Sequence, residues 1–429
     1  SVTVVTKAPG LASLTIEYRS PYDDLDRRIT YTTSTQIGVV LVEVTHIKFN
    51  HDPASTASDA INIRQDYSNA YDITNGEWIK GGANLPACYT TSKTVSIKAR
   101  FSVNLNGVTS ADLSADSTDY HGTLGDVSKT NVSFTAGVSD WVTMPVSGLT
   151  AACVKKTSDT WQWKAGNFNG LGAMTAKANA SGPHTTYVIL SDPVAPWSNA
   201  DGCTTNAWVT VLNIVCQDSP WAGGTASIPG AAAAITDCIY SSGRFEYDSA
   251  AGDCFYTIIT PQNTIDYFDM SKWTQRIDGG GGRGALVNCW DCANGVVSMS
   301  NILGCDLWNQ WMGSATGFEC NEIRAIKDDA WARPFGWGFG YHRVGWRGGV
   351  SDSGKVFDAC LKVDSDGDPT GSGNHNSEWI PTDIVFWTTG GTYDDYKQLL
   401  VAPSGYGNCI VSNTPGGMQN PGQRRDPIR

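Results

Sequence analysis

Apolar and polar residues alternate with a period of two through the first half of the chain. The alternation is clear over 38–45 and 94–103, and polar, glycine-containing clusters separate segments of this kind. Residues two apart lie on the same face of a strand, so the pattern predicts many short strands joined by turns. Strands of this length and spacing are typical of β-sandwiches. We therefore predict two all-β sandwich modules, over 1–84 and 85–225.

A helical period replaces the strand period in the second half of the chain. Four apolar residues recur at the spacing of one helix face: Cys292, Val296, Met299 and Leu303. Gly304 follows them, where helices commonly end, and the glycine run 279–282 precedes them. The sequence therefore predicts a helix that begins at Cys289, behind a flexible segment. The Ala-rich residues 230–240 predict a second helix.

The last residues of the sequence differ from the rest in composition and patterning. The segment 413–429 is rich in Pro, Gly and polar side chains and has no hydrophobic period. Such a segment cannot bury an apolar face of its own. We therefore expect 413–429 to be a flexible, exposed tail.

Composition and charge narrow the classes of function. The chain has 429 residues, of which 41% are hydrophobic and 17% charged, so it can form more than one buried core. Its formal net charge is −12 at pH 7. An acidic chain lacks the basic surface that attracts nucleic acid or anionic membranes. No apolar run approaches the roughly 20 residues of a membrane-spanning helix. We therefore expect neither a nucleic-acid partner nor a membrane span.

The cysteine content bears on the compartment. Twelve cysteines are many for a cytosolic protein of this size. Two short-range pairs, Cys203 with Cys216 and Cys238 with Cys254, are predicted to be disulfides that close local loops. The sequence starts at Ser1, which we interpret as a mature form whose leader has been removed. We therefore predict a secreted or cell-surface protein.

Cys289 is the candidate nucleophile. The N–H groups and partial positive charge at a helix N-terminus stabilise a thiolate, and Cys289 is predicted to lie there. Its own backbone N–H is also in a suitable position to stabilise an oxyanion. Trp273 and Gln275 are the candidates for a second oxyanion donor.

A thiolate nucleophile needs a base and a group that orients the base. His342 lies in a predicted strand at 339–346, and Asp358 lies in the next predicted strand at 355–363. A hairpin brings the two side chains together, facing the helix end. His342 is then predicted to accept the thiol proton while Asp358 holds its tautomer. His375 is a rival base, but it lies in a polar loop and we place it outside the chemistry.

The motif Cys289-x-Asp291-x-Ala293, followed by Gly304 and then by His342 and Asp358, resembles the core of the transglutaminase-like superfamily of papain-fold cysteine enzymes. The resemblance extends over about 228–412. It implies that an α+β, papain-like domain at 226–412 follows the N-terminal modules, which are expected to be Ig-like.

The resemblance also implies the chemistry. Cys289, His342 and Asp358 form a catalytic triad that transfers or hydrolyses an acyl group at an amide through a Cys289 thioester. The partner is then a protein or peptide substrate, and neither a cofactor nor a metal ion is required.

Other interpretations of the same residues remain open. The sequence from Cys289 to Cys292 is also a C-x-x-C motif, which zinc sites and dithiol redox centres use. All twelve cysteines could alternatively pair as six disulfides. A different class of function is a non-enzymatic adhesive, scaffold or filament subunit that self-assembles or attaches to surfaces through its β modules and carries an inactive C-terminal domain.

Two further patterns have simpler explanations. The acidic run at 364–368 resembles part of a calcium loop, but His375 stands where the loop would need its last glutamate, so a solvated turn is favoured. Five aromatic residues could line an acyl-donor groove or pack in the core: Trp331, Phe335, Trp337, Phe339 and Tyr341.

Overall fold

A computed structural model describes most of the chain. The described residues are 10–19, 30–51, 59–67, 72–73, 76–91, 93–118, 123–149, 151–169, 175–197, 206–259, 266–365, 375, 377–388, 394–411 and 422–429. Strands predominate and helices are few, which confirms the prediction of a β-rich protein. In these ranges no helix has the length and apolar character needed to cross a membrane.

Two sheets packed face to face form the N-terminal region. Their strands and those of a small neighbouring sheet are β1 (Gly10–Arg19), β2 (Thr30–Lys48), β3 (Ile63–Arg64), β4 (Asp72–Ile73), β5 (Glu77–Ile79), β6 (Ala87–Thr90), β7 (Ser96–Val103), β8 (Ser110–Ser117), β9 (Val127–Ser133), β10 (Val142–Pro145), β11 (Lys155–Asn169), β12 (Thr175–Ala178) and β13 (Ala180–Ile189). One sheet has the order β1-β2-β7-β10, with β5 and β12 also paired to β2. The other has the order β6-β13-β11-β8-β9.

The predicted boundary between 1–84 and 85–225 is wrong. Strand β2 pairs antiparallel with β7, with Val42 opposite Val103, so one sheet contains strands from both sides of that boundary. The apolar core between the sheets likewise runs from Val40 to Trp163. The composition change near residue 84 marks a loop inside one sandwich, and composition alone does not distinguish such a loop from a linker.

A mixed region of helices and strands follows the sandwich. Its strands are β14 (Ala207–Trp208), β15 (Glu246–Tyr247), β16 (Thr257–Ile258), β17 (Tyr267–Phe268), β18 (Leu286–Val287), β19 (Trp308–Glu319), β20 (Arg324–Ala325), β21 (Gly338–Arg347), β22 (Lys355–Phe357), β23 (Leu361–Asp364), β24 (Glu378–Trp379), β25 (Thr382–Val385), β26 (Ile410–Val411) and β27 (Gln423–Arg424). Its helices are α1 (Val209–Val215), α2 (Ile228–Ser241), α3 (Met270–Ile277), α4 (Cys289–Asn301) and α5 (Tyr396–Leu400). The main sheet has the order β25-β22-β21-β19-β26, and β27 pairs with β19.

The predicted boundary at 225/226 also needs correction. Helix α1 lies before it, yet Val211 and Leu212 of α1 belong to the same buried cluster as Val296 of α4. The short β14, which leads into α1, pairs with β3 beside the sandwich. The mixed region therefore begins near residue 207, because the apolar face of α1 is buried with the helices that follow it.

Helix α4 is the centre of the mixed region. It begins at Cys289, as predicted, and every residue of it is buried. It packs on β21, where a Cβ on Gly345 would lie 3.0 Å from Val296 Cγ1. On another side, a Cβ on Gly295 would lie 2.4 Å from the Trp273 ring. These close approaches explain how a helix with only one apolar stripe in its sequence is enclosed on all sides.

The end of the chain is packed rather than exposed. Strand β27 adds to β19, and the backbone of 427–429 hydrogen-bonds with Phe268 and Ser271. Asp426 is 3% exposed and accepts hydrogen bonds from Trp290 and Asn294, both at 2.7 Å. The prediction of a flexible tail is therefore wrong for 422–429. The reason is that two side chains of α4, distant in sequence, bind and bury the Asp426 carboxylate. Residues 413–421 lie outside the described part.

The described cysteines are all free thiols. Cys238 donates to the Pro220 carbonyl at 2.8 Å, and Cys254 accepts from Asn288 at 3.1 Å, so the predicted disulfide between them is not formed. Cys216 is also a free thiol, and Cys203 lies outside the described residues. The cysteine pairing that favoured an oxidising compartment therefore loses its support, and a secreted or cell-surface location stays a prediction.

Candidate active site

The N-terminus of α4 is built by its own capping residues. Asn288 is the N-cap, and its side chain accepts from the N–H groups of Trp290 and Asp291 at 3.0 and 3.1 Å. Asp291 in turn accepts from the Asn288 N–H, which completes a capping box. This reciprocal pair fixes where the helix begins, and it therefore fixes the position of Cys289 in the first turn.

Asp291 also ties the helix start to the neighbouring loop. Its carboxylate accepts from the backbone N–H groups of Phe255, Tyr256 and Thr257 at 2.8, 3.1 and 2.6 Å. Burial raises the pKa of Asp291 to about 6, although these N–H groups favour the ionised form. The Asp of the Cys-x-Asp motif is therefore a structural residue that holds the loop beside Cys289.

Cys289 lies with its backbone N–H unused. No backbone or side-chain acceptor among the described residues takes that N–H, as expected for the first turn of a helix. The Cys289 side chain is nearly buried, with 3% exposed. A developing oxyanion on a substrate bound at the sulfur would find this N–H available.

His342 and Asp358 are brought together as a buried pair. His342 lies in β21, and Asp358 directly follows β22, which pairs antiparallel with β21. His342 Nε2 and Asp358 Oδ2 are 2.9 Å apart, and the side chains are 0% and 1% exposed. The predicted hairpin therefore forms, although Asp358 lies between β22 and β23 rather than inside one long strand.

The other nitrogen of His342 faces the cysteine. Nδ1 has no conventional hydrogen-bond partner among the described residues. A hydrogen bond with the Cys289 thiol is nevertheless among the interactions that raise the His342 pKa. With Nε2 engaged by Asp358, the free Nδ1 is the atom that can exchange a proton with Cys289 Sγ.

The charge state of the pair follows from this geometry. Burial lowers the pKa of His342, but the Asp358 carboxylate and the hydrogen bonds to Asp358 and Cys289 outweigh it and raise that pKa to about 10. Burial raises the pKa of Asp358, but the His342 charge and the hydrogen bonds it accepts bring it below its ordinary value. The pair is therefore an imidazolium and a carboxylate at neutral pH.

Two groups that the sequence analysis missed hold Asp358 in place. The Tyr396 hydroxyl, at the start of α5, donates to Asp358 Oδ2 at 2.6 Å. The Cys360 backbone N–H donates to Oδ1 at 2.9 Å. Tyr396 is far from Asp358 in sequence, and no local pattern points to it. The Asp-x-Cys spacing, in contrast, is a recognisable turn in which an aspartate bonds the backbone two residues on.

A pocket of about 230 Å³ opens at Cys289. Its lining comes from the end of β15 and the loop after it, from the turn before β21 and from the first residues of β21: Tyr247, Ala251, Gly252, Phe335, Trp337, Phe339, Gly340 and Tyr341. Phe335 and Trp337 are 38% and 41% exposed, which is unusual for large aromatic residues. Four of the five aromatic residues weighed for a groove therefore line it, and the fifth, Trp331, stacks on His375 instead.

The predicted second oxyanion donors lie elsewhere. Trp273 is fully buried and stacks on Phe245 with ring centroids 4.1 Å apart, so it supports α4 from the side. The exposed Gln275 contacts Lys272. Two phenols that line the pocket, Tyr247 and Tyr341, are closer to the chemistry. Burial first, and then interaction with Cys289, raises the pKa of each, so both stay protonated and able to donate.

His375 does not belong to the site. Its two ring nitrogens lie 3.0 Å from Asp364 and 3.0 Å from Glu322. These contacts fix its ring against Trp331, with centroids 4.2 Å apart. The preference for His342 as the base agrees with this placement. Most of the calcium-like run, 366–368, lies outside the described residues.

A buried cation lies behind α4. Arg343 follows His342, is fully buried, and stacks over the Trp290 ring at 4.2 Å. Its Nη1 donates to Asn309 at 2.9 Å. Burial lowers its pKa to about 10, and the nearby Asp426 opposes that change. The C-terminal segment thus brings both Asp426, which favours the charged arginine, and Arg424, which opposes it.

The second cysteine of the C-x-x-C motif points to a different neighbour. Cys292, one turn into α4, is hydrogen-bonded to Cys360, and both thiols are buried. Among the described residues, ligand atoms of His342, Asp358 and Cys360 all lie within 4.8 Å of one another. Cys292 is therefore a buried free thiol, and it lies on the apolar face of α4 where the sequence pattern places it. It adjoins Cys360, whose backbone N–H holds Asp358.

No protein-family model matches the chain, and no curated protein matches it.

Proposed function

We propose that this protein is a cysteine enzyme, transglutaminase-like in its catalytic domain, that transfers or hydrolyses an acyl group at an amide. The observation that carries the proposal is the buried His342–Asp358 pair, which interacts with Cys289 at the N-terminus of a buried helix. His342 contacts Asp358 through Nε2 at 2.9 Å and leaves Nδ1 to the thiol. A thiol, a base and an orienting acid in this order are the requirements of nucleophilic catalysis by cysteine.

The proposed reaction starts with the proton of the Cys289 thiol already on His342 Nδ1, because Asp358 stabilises the charged form of the ring. The resulting thiolate attacks the amide carbonyl carbon, and the carbonyl oxygen takes the negative charge. The free Cys289 N–H, and a phenol from the pocket wall, stabilise that oxyanion. The tetrahedral intermediate then collapses, His342 returns the proton to the leaving nitrogen, and an amine or ammonia departs. Cys289 is left as a thioester.

In the second half, His342 removes a proton from an incoming amine or water, which attacks the thioester carbonyl. The C–S bond breaks, and the thiolate leaves to re-form the pair with the imidazolium. An amine gives a new amide, and water gives an acid, so the same site supports crosslinking, deamidation or peptide hydrolysis. Asp358 stays ionised throughout and holds the ring orientation.

The pocket suggests the acyl-donor class. Exposed aromatic side chains, Phe335 and Trp337, stand at its mouth, and the phenols line it beside Cys289. An apolar wall with a few polar groups is suited to a peptide segment or an apolar acyl chain with one carboxamide at the sulfur. A protein or peptide substrate is therefore proposed.

The proposal is tested by comparing how fast Cys289 is alkylated with how fast another thiol is alkylated. Wild-type protein is treated briefly with iodoacetamide at neutral pH, and mass spectrometry follows modification at each cysteine. Cys153 is the control thiol because it is more exposed than Cys289 and lies far along the chain in the sandwich. An activated Cys289 reacts faster than Cys153 despite its burial, whereas exposure alone gives the reverse order.

Turnover is tested in the same way with acyl donors. The protein is incubated with glutamine-containing peptides and a small primary amine, and mass spectrometry is used to look for peptide adducts on Cys289. Cys289→Ala abolishes adducts and products, while Cys153→Ala leaves both unchanged. Product formation by Cys289→Ala, or slower alkylation of Cys289 than of Cys153, contradicts the proposal.

A further inference from the structure

Two buried thiols have no role in the proposed reaction. Cys292 and Cys360 are each 1% exposed and are hydrogen-bonded to each other between α4 and the turn after Asp358. Cys360 Sγ lies within 4.8 Å of ligand atoms of both His342 and Asp358. A histidine, a carboxylate and the Cys360 thiol therefore lie close together, and the Cys292 thiol is the neighbour of Cys360.

We propose that His342, Asp358 and Cys360 bind Zn²⁺, and that the neighbouring Cys292 moves in as the fourth ligand. Zinc prefers four ligands in a tetrahedron drawn from sulfur, imidazole nitrogen and carboxylate oxygen. Its bond lengths place neighbouring ligand atoms about 3.3–3.8 Å apart. His342 Nε2 and Asp358 Oδ2 are 2.9 Å apart, and ligand atoms of His342, Asp358 and Cys360 lie within 4.8 Å of one another. These three donors therefore need shifts of about 1 Å or less to reach that geometry.

The charges also fit the ion. Binding releases the two thiol protons and the imidazolium proton, so the ion meets two thiolates, a carboxylate and a neutral imidazole. Ions that prefer oxygen ligands, such as Mg²⁺, are not expected to bind, because two of the four proposed ligand atoms are sulfur. Affinity for Zn²⁺ is therefore expected to increase with pH as these protons are lost.

Zinc at this site blocks the proposed reaction, a consequence that rests on the proposed function. Nε2 gives its lone pair to the metal, so the proton of the neutral ring stays on Nδ1. That nitrogen can then donate to Cys289 but cannot accept the thiol proton. Asp358 is engaged by the ion at the same time. In the metal-free form His342 can therefore hold the thiol proton, and in the zinc form it cannot.

Equilibrium dialysis of the metal-free protein against ZnCl₂ tests the site, with ZnCl₂ alone as the probe. Wild type and Cys289→Ala are expected to bind one Zn²⁺ per chain. The double variant Cys292→Ala/Cys360→Ala is expected to bind it at least 100-fold more weakly. The matched control is Cys88→Ala/Cys216→Ala, which removes two buried free thiols that interact with each other away from this site and is expected to bind as wild type does. Co²⁺ replaces Zn²⁺ to show thiolate ligation through its charge-transfer absorption.

Three results separate the two proposals. Absence of binding in wild type, or equal binding in the double variant, overturns the zinc site. Loss of binding in Cys289→Ala with retention in the double variant also overturns it, because the ligand is then Cys289. Zinc binding as expected in a protein whose Cys289 shows no activated alkylation leaves the metal site standing and contradicts the enzyme. If the double variant does not fold, the single variants Cys360→Ala and Asp358→Asn replace it in the same titration.

Discussion

The two regions of this protein each bury a histidine, and they treat it in opposite ways. In the sandwich, His184 is 1% exposed and packs against the Phe49 and Trp161 rings at 5.3 and 4.9 Å. Burial lowers its pKa to about 3. In the mixed region, His342 is 0% exposed and its pKa is raised to about 10.

The difference lies in the partner and not in the burial. His184 Nε2 contacts the neutral Ser181 hydroxyl at 3.0 Å, and hydrogen bonding to Ser181 offsets only part of the hydration that the charged ring loses on burial. His342 has the Asp358 carboxylate at 2.9 Å. A carboxylate beside a buried histidine keeps the ring charged and able to exchange a proton. A buried histidine among aromatic rings is instead a neutral core residue. Predictions that alter either partner therefore test the site.

Asp358→Asn has the largest expected effect. It removes the carboxylate while keeping the side-chain shape, so His342 comes to resemble His184 and its pKa falls below the ordinary value. Turnover is expected to fall by up to about 10⁴-fold, because the amide also permits the wrong tautomer. Initial rates and the pH profile of Cys289 alkylation measure both effects. His375→Ala is the control, and a loss as large as that of Asp358→Asn would contradict the assignment of the base.

Tyr341→Phe is expected to have the next largest effect. Tyr341 lines the pocket with Cys289 and keeps its proton, so its loss removes a candidate oxyanion donor. The turnover number is expected to fall about 100-fold with little change in KM. Tyr187→Phe in the sandwich is the matched control, because Tyr187 donates to Asn213 at 2.6 Å far from the pocket. Equal turnover in Tyr341→Phe and wild type would exclude the phenol and leave Tyr247→Phe as the variant to measure.

Stability in the mixed region is expected to depend on pH through the His342–Asp358 pair. The raised pKa of His342 stabilises the fold fully below pH 6.5, and this contribution is lost as pH rises toward 10. The lowered pKa of Asp358 stabilises the fold above pH 3.8, and this contribution is lost as pH falls below it. The free energy of unfolding of wild type, compared with that of Asp358→Asn by urea titration, should therefore differ most between about pH 4 and 6.5. A difference that grows from pH 7 to 10 would contradict the pair.

The sandwich is expected to show the opposite dependence, with the smallest effect on function. The lowered pKa of His184 means that the unfolded chain binds a proton below pH 6.5 and the folded chain does not until about pH 3. Stability is therefore lost as pH falls through that range. His184→Gln keeps a polar contact to Ser181 and should flatten this acid slope in urea titrations, while Cys289 alkylation stays unchanged. An acid slope that survives the substitution would assign it to other groups.

The amino-acid sequence by itself determined the local elements. Alternation with a period of two specified strands such as β7, and the Asn288-x-x-Asp291 capping pair with the stripe from Cys292 to Leu303 specified where α4 begins. These features depend on contacts within four residues, so the sequence contains all the partners that are needed. The hairpin that joins His342 and Asp358 is nearly local, and it was predicted for the same reason.

The tertiary structure alone decided which distant segments meet. It joined the two predicted β modules into one sandwich, enclosed α4 on every side and buried Asp426 of the chain end against Trp290. It also brought Tyr396 to Asp358 and Cys360 to Cys292. Such contacts depend on sheet register and packing. Burying a polar group without a hydrogen-bond partner costs free energy, so each buried polar group is paired with whichever segment the fold brings to it. No local period records which partner that will be.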